Sequence, residues 1–293
     1  MRKTFQYKLY RSKRNKHLHS QIDLAAEIYN HCIALHKRYY RLYGKHLNKY
    51  QLQKHLTKLK DVPKYQHWKN LGSQVIQDIT DRVDRGYQLF FKFLKTERKI
   101  APPSFRKRRK YKSFTLKQVG YKLLGENKIQ IGKKVFKFHK SREIVGVIKT
   151  LTVKRDPLGD IYLYFSCEVP DTQTEQTMTG ESAGFDFGLK RFLTSSDGIE
   201  IGAPLFFKQG LKDIQKANKD LPRKTKGSNN RKRARLNLAR VHKRIANRRK
   251  DYQFKLAKKL AEQYDYLFFE NLNMKVMQKL WEGRSLTSPF IIS

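Results

Sequence analysis

The rhythm of apolar and polar positions changes repeatedly along the chain, and each change predicts an element. Thr4-Phe-Gln-Tyr-Lys-Leu-Tyr10 alternates with a period of two, the pattern of a half-buried strand. From about residue 13 to 98 the period becomes helical. Ile22, Ala25, Ala26, Tyr29, Ile33 and His36 recur at spacings of three and four, as do Val75, Ile79, Val83, Tyr87, Phe90 and Phe91. Pro63 and Gly72 punctuate between them, and Pro102-Pro103 ends the region. A helical bundle with basic outer faces is predicted. Residues 114–169 then read as short strands separated by Gly, Asn or Asp: Ile129–Ile131, Val135–Phe138, Val145–Ile148, Leu151–Val153 and Ile161–Phe165. Strands so short and regular predict a small barrel, which the opening strand completes.

A polar stretch, 170–181, marks a boundary. Beyond it, Phe185 to Leu193 reads as one apolar strand. Ser196-Asp197-Gly198 is a turn signal, and Ile199–Ile201 returns from it. Residues 208–262 are helical, broken near Pro222 and Gly227. Leu238, Val241, Ile245, Tyr252, Leu256 and Leu260 form the one apolar stripe of a helical hairpin. Tyr264–Phe269 reads as a short buried strand that stops at Glu270.

Charge changes the picture most. The chain carries 65 Lys and Arg against 25 Asp and Glu, a formal net charge of +40 over 293 residues. Such a chain repels itself and calls for a polyanion, and nucleic acid fits better than an anionic membrane surface. The cations run through foldable sequence from Arg2 to Arg284, so the binding surface belongs to the fold and not to a tail. Two dense blocks stand out: Arg106, Lys107, Arg108, Arg109 and Lys110 with Lys112, and Arg231, Lys232, Arg233 and Arg235. Arg244, Arg248 and Arg249 flank the later helical stripe. All are candidates for phosphate contact. Tyr111 and Phe114, beside the first block, suit the core better than base stacking.

The two cysteines, Cys32 and Cys167, sit in apolar patterns and read as small hydrophobes. No CxxC pair offers a zinc ribbon or a disulfide framework, which predicts a reducing, cytoplasmic setting. The start of the chain has no apolar signal region, and no run is long enough to span a membrane. The histidines show no metal-ligand spacing.

Two acids stand out by position. Asp186 lies between Phe185 and Phe187, with Gly184 and Gly188 outside them, and Glu270 ends another apolar strand. A buried carboxylate needs a partner. One reading is a two-metal phosphodiester site; the other is a buried salt bridge to an arginine. A strand bearing Asp, a hairpin, helices and a strand ending in an acid fits the ribonuclease H-like order.

Several segments together resemble a known family. Gly184-Phe-Asp186-Phe-Gly188-Leu-Lys-Arg-Phe-Leu193 with Ser196-Asp-Gly198 resembles the first RuvC motif of the TnpB (OrfB) proteins of bacterial insertion sequences. Phe269-Glu270-Asn271-Leu272-Asn273-Met274 is similar to the second, and Arg240–Arg249 to the helical segment between them. Thr4–Tyr10 and Leu71-Gly-Ser-Gln-Val75 are similar to N-terminal features, so the resemblance covers about residues 1–281.

The resemblance implies an α+β multidomain fold. A wedge-type β-barrel (1–12 and 99–170) is interrupted by a helical recognition lobe (13–98), and a linker (171–182) leads to a RuvC-like, ribonuclease H-type α/β domain (183–293). It implies Asp186 and Glu270 as catalytic and Mg2+-binding residues, a guide RNA from the transposon end, and a DNA target cut beside a short motif. The family also continues into a four-cysteine zinc ribbon and a third motif with a further Asp. This sequence shows neither, so the nuclease domain is expected to be truncated, without zinc, and weak or inactive in cleavage. A non-cutting RNA-guided repressor and a general RNA-binding protein are the alternatives.

Overall fold

The computed structural model describes residues 1–94, 96, 100–117, 119–170, 178–188, 191–202 and 205–272. The chain divides into two compact units, Met1–Thr172 and Gln173–Ser293.

In the first unit, seven strands form an antiparallel, barrel-like sheet. They are β1 (Arg2–Leu9), β2 (Ser113–Leu116), β3 (Tyr121–Leu123), β4 (Lys128–Ile131), β5 (Lys134–His139), β6 (Val147–Arg155) and β7 (Ile161–Glu168), in the order β2-β6-β7-β1-β5-β4-β3. The alternating opening segment is thus the middle strand, with Phe5 opposite Phe165 on β7 and Leu9 opposite Phe138 on β5. Its inward residues meet those of both neighbours: the Tyr7 ring lies 5.4 Å from Phe138 and 5.8 Å from Phe165. Burying a ring such as Phe165 completely contributes roughly 1.5–3 kcal/mol. Val145–Ile148 and Leu151–Val153 are not two strands. Val147, Ile148 and Leu151–Val153 belong to one, β6, and the register shift between Ile148 and Thr150 produces the break in alternation that looks like an end. Gly146, just before β6, is required by geometry. Its φ is +85°, and a Cβ there would sit 2.3 Å from the Glu168 carbonyl oxygen.

Between β1 and β2 run α1 (Asn15–Tyr43), α2 (Lys49–Leu59), a 3-10 helix (Pro63–Asn70) and α3 (Ser73–Leu94). The stripe Ile22, Ala25, Ala26, Tyr29, Ile33 and His36 is the buried face of α1, and Val75, Ile79, Val83 and Tyr87 that of α3. Gly44 ends α1 in the left-handed conformation and donates its N–H to the Tyr40 carbonyl. Asn48 and Gln51 begin α2 with reciprocal side-chain-to-backbone bonds. Helices and sheet share one core, which takes in Cys32, Tyr111, Phe114 and Cys167. Burial pushes the Cys32 thiol and the Tyr111 phenol each up to about 12.

The second unit has a four-stranded sheet, order β10-β9-β8-β11, and two helices. Its elements are β8 (Ser182–Asp186), β9 (Arg191–Ser195), β10 (Glu200–Gly202), α4 (Phe206–Asp220), α5 (Asn229–Gln263) and β11 (Tyr266–Phe269). The run 185–193 therefore holds the end of β8 and the start of β9. β8, β9 and β10 pair antiparallel; β11 returns after the helices to lie parallel to β8. The core is small: Ala183, Phe185, Leu193, Leu260 and Tyr264. β11 departs from expectation, because Tyr266, Phe268 and Phe269 are exposed. Among the described residues it is an edge strand, and only one of its faces meets that core.

The two helices form the expected hairpin. Leu238, Val241, Tyr252 and Leu256 are half-buried, while Ile245 and Leu260 are buried. α4 and α5 cross closely at Gly210, where an added Cβ would meet Ile245 Cδ1 at 2.4 Å. No helix among the described residues is long and apolar enough to cross a membrane.

Candidate metal site and nucleic-acid surfaces

Parallel pairing of β8 with β11 places Ser182 opposite Tyr266, Ala183 opposite Leu267, Gly184 opposite Phe268 and Phe185 opposite Phe269. Continued by one residue past its last pair, this register would bring Glu270 opposite Asp186, at the carboxyl ends of the strands and on the face of Gly184 and Phe268. The other face carries Ala183 and Phe185 into the core, with the Phe185 and Phe269 rings stacked at 5.4 Å. Adjacent strands lie about 4.8 Å apart, so the two carboxylates are near neighbours.

Both acids are exposed. The expectation that each is a buried carboxylate in need of a partner is corrected: they lie on the solvent side of a one-core sheet. Among the described residues neither carboxylate has a hydrogen-bond or ion-pair partner, so the salt-bridge alternative has no support there. Two hard oxygen donors side by side, facing water, suit a hard divalent cation. Among the described residues no cluster of three or more His, Cys, Asp or Glu could hold a metal ion.

The first basic block is a surface feature anchored from beneath. Arg106 to Lys110 and Lys112 are all exposed. Asn30 on α1 clamps the backbone of Arg106, donating to its carbonyl and accepting from its N–H at 2.9 Å each. The Arg106 guanidinium lies 5.2 Å over the Tyr29 ring. Arg155 donates to the carbonyls of Arg108 and Tyr111 and pairs with Asp23. The cations are thus presented on a fixed backbone with their heads in water. Tyr111 and Phe114 are buried beneath them, as core residues.

The second block divides. Lys232, Arg233 and Arg235 on α5 are exposed, and so are Arg244 and Arg248, whereas Arg249 is half-buried. The Arg248 guanidinium lies 5.6 Å over the Phe206 ring. Arg231 is turned to its own fold, donating to the carbonyls of Leu221 and Lys224 at 3.0 and 2.8 Å. It ties α4 to α5, a structural role that its place in a basic run conceals. α5 has 35 residues and extends roughly 52 Å at about 1.5 Å per residue, a long basic rod.

A further basic surface escaped sequence reasoning. In the first unit a cleft of about 740 Å3 opens between the β1–α1 junction and the β4–β5 hairpin. Arg11, Arg14, Lys128 and Lys137 line it. The Tyr10 ring stacks on His139 at 3.7 Å nearby. Asp160 holds Arg11 through its Nε at 2.9 Å and takes Lys8 on its other oxygen at 2.8 Å. These cations come from segments more than a hundred positions apart. Only the pairing of β1 with β5 brings them together.

The chain is similar to several known proteins. Residues 164–280 match the OrfB_IS605 family, described as "Probable transposase". The "Putative RNA-guided DNA endonuclease InsQ" of Escherichia coli (strain K12) is 26% identical over 258 residues, covering 87% of this chain and 62% of that protein. A "Putative RNA-guided DNA endonuclease" of Streptomyces pristinaespiralis is 37% identical over 130 residues, covering 44% of this chain and 32% of that protein. A TnpB-like protein of Acanthamoeba polyphaga mimivirus is 29% identical over 151 residues, covering 47% of this chain and 28% of that protein. The chain therefore spans less than two thirds of the length of these relatives. The motifs found in family order along one chain, together with these matches, make the chain similar to TnpB (OrfB) proteins, with the family match covering residues 164–280.

Proposed function

We propose that this chain is a transposon-associated, RNA-guided DNA-binding protein of the TnpB type, and that Asp186 and Glu270 form the cation-holding part of its nuclease site. The observation that supports the reading is the parallel register of β8 and β11, whose last pair, Phe185 with Phe269, immediately precedes Asp186 and Glu270. The strand order supports a ribonuclease H-like, RuvC-type assignment of the second unit, and the names of the bacterial relatives support guide RNA and target DNA as partners. The guide comes from the transposon end. Its phosphates meet the Arg106–Lys110 block, the cleft at Arg11 and Lys128, and the exposed cations of α5. The wedge-type barrel with its helical recognition lobe corresponds to the first unit.

A bound Mg2+ supplies an activated water and polarisation of the phosphoryl oxygen. The contribution of the chain is to fix two carboxylates on adjacent strands of one sheet. Among the described residues, these two carboxylates are what the chain offers such an ion.

The test is expression with the adjacent genomic segment, sequencing of the co-purified RNA, and a cleavage assay with Mg2+. A discrete bound RNA is expected, and any Mg2+-dependent cutting is expected to be lost in Asp186→Ala. Heterogeneous RNA without a discrete species overturns guided binding. Cutting that persists in Asp186→Ala overturns the cation-site reading.

A further inference from the structure

The strands that carry the two acids are tied together at their opposite ends. Tyr264, just before β11, donates its hydroxyl to Asp197 Oδ2 at 2.7 Å. Asp197 lies in the β9–β10 turn, and its Oδ1 accepts from Ser196 Oγ at 3.1 Å. Ser196 Oγ accepts in turn from the Gly184 N–H of β8 at 3.1 Å, while the Ser196 N–H donates to the Gly184 carbonyl at 2.8 Å. The turn itself is braced, because Ser195 Oγ accepts from the N–H groups of Asp197 and Ile199. Asp265 supplies a second tie. Its Oδ2 accepts from the Gly180 N–H at 2.7 Å, and its own N–H donates to the Glu181 carbonyl at 3.0 Å. The buried Tyr264 ring meets Phe185 edge-on at 5.7 Å.

These ties matter because little else sets the register of β11. The strand has four residues, and its packing is limited to Leu267 against the core and the Phe269 ring stacked on Phe185 and Phe187, while Tyr266 and Phe268 are exposed. A slip of one residue turns every side chain to the other face. A slip that sets Phe269 opposite Gly184 would carry Glu270 away from Asp186 and put Asn271 in its place. We propose that Asp197 and Tyr264 are positioning residues for the carboxylate pair: the chain Tyr264–Asp197–Ser196–Gly184 sets the register in which Glu270 stands beside Asp186. The inference rests on reading that pair as a cation site. It assigns the Ser196-Asp197-Gly198 turn a task beyond reversing the chain.

Disulfide trapping in the full chain reads the register directly. Gly184→Cys with Phe268→Cys probes the native alignment, and Gly184→Cys with Phe269→Cys the slipped one. Facing Cα atoms about 4.8 Å apart fall within the span of a disulfide. A Cβ at Gly184 meets nothing closer than Ser196 Cβ at 4.0 Å, Phe268 is exposed, and Cys32 and Cys167 are buried. The native pair is expected to oxidise in the parent background. With Tyr264→Phe or Asp197→Asn, its yield falls and the slipped pair appears. Mn2+ affinity, followed by the paramagnetic resonance of the free ion, weakens about tenfold or more in the same variants without added cysteines. The double variant is no weaker than either single one, because both break one chain. A role in stability alone lowers the melting temperature but leaves the ratio of the two cross-links unchanged, which overturns the proposal. Asp186→Asn separates the two readings. If it leaves Mn2+ affinity at the parent value, the cation-site reading fails and the positioning role falls with it. If it abolishes binding while Tyr264→Phe and Asp197→Asn change neither readout, only the positioning role is wrong.

Discussion

The two units use the same scarce residue type in opposite ways. In the first, Asp78, Asp84 and Asp160 are buried, and each is engaged. Asp78 takes Arg82 at 2.8 Å and the Thr115 N–H at 2.9 Å; Asp84 takes His46 and Gln88; Asp160 takes Lys8 and Arg11. In the second, Asp186 and Glu270 are exposed and side by side. With cations so abundant, an acid that has found one is fulfilling a structural need. Two adjacent acids facing water in that positive field are the anomaly, and a divalent cation resolves their mutual repulsion. Burial alone, the property that first drew attention to Asp186, would have selected the wrong acids.

The largest expected effect sharpens the structural side of that contrast. His36 is buried against Tyr87, the rings stacked at 3.6 Å, and its Nε2 lies 2.6 Å from His46 Nδ1. His46 Nε2 reaches Asp84 Oδ1 at 3.2 Å. Burial, and then the neighbouring His46, lower the His36 pKa from 6.5 to about 4 against the opposing pull of Asp84. The folded state thus keeps His36 neutral, while the unfolded chain takes a proton below about 6.5. Stability from this group is complete above that pH and is lost as pH falls toward about 4, by up to about 3 kcal/mol. Urea midpoints at pH 7 and pH 5 measure the loss, and His36→Gln is expected to flatten it. An equal slope in that variant would assign the pH dependence elsewhere.

Asp78→Ala comes next, at about 2 kcal/mol in the first unit. It leaves the Thr115 N–H and one side of the half-buried Arg82 guanidinium without an acceptor. Arg82 keeps the Ser113 carbonyl and Thr115 Oγ1, which limits the cost. Arg231→Ala costs about 1 kcal/mol in the second unit by freeing two carbonyls at the α4–α5 turn, and it leaves the salt dependence of RNA binding in place. Arg233→Ala does the reverse. Stability holds, and the slope of log affinity against log salt falls by about 0.7. If the two arginines behave alike, the division of the basic block is wrong.

Much of this was legible in the chain itself. The stripes of α1 and α3 are strong 3.6-residue patterns, and their residues are the buried ones. Turn chemistry located the Ser196-Asp197-Gly198 reversal, where Gly198 has a φ of +77°. What was hidden depended on pairing between distant segments. A bulge made β6 look like two strands, and the frequent apolar residues of Phe185–Leu193 made the end of β8 and the start of β9 look like one. Tyr266, Phe268 and Phe269 looked buried because aromatic composition signals strand and core alike, while exposure depends on which neighbours the strand acquires. Arg231 was indistinguishable from Arg233 because a carbonyl acceptor leaves no mark in composition. Asp186 and Glu270 were found by position and family resemblance, but their juxtaposition follows from a parallel register that no local pattern specifies.

The smallest stability effect is the most informative one. Asp186→Asn and Glu270→Gln are each expected to shift unfolding free energy by no more than about 0.5 kcal/mol, since both side chains are exposed and bear no fold contact among the described residues. Removing either charge also relieves repulsion from the other, which offsets any loss. The difference emerges with cation. A ligand that binds only the folded state raises stability by RT ln(1 + [L]/Kd), about 1.4 kcal/mol at tenfold over Kd. Millimolar Mg2+ should therefore raise the second unit's unfolding temperature in the parent chain and leave it unchanged in Asp186→Asn, while Asp78→Asn in the first unit retains the full Mg2+ response. A variant at Asp186 that unfolds 2 kcal/mol more easily without cation would mean that this acid is built into the fold like Asp78, and the contrast between the units would disappear.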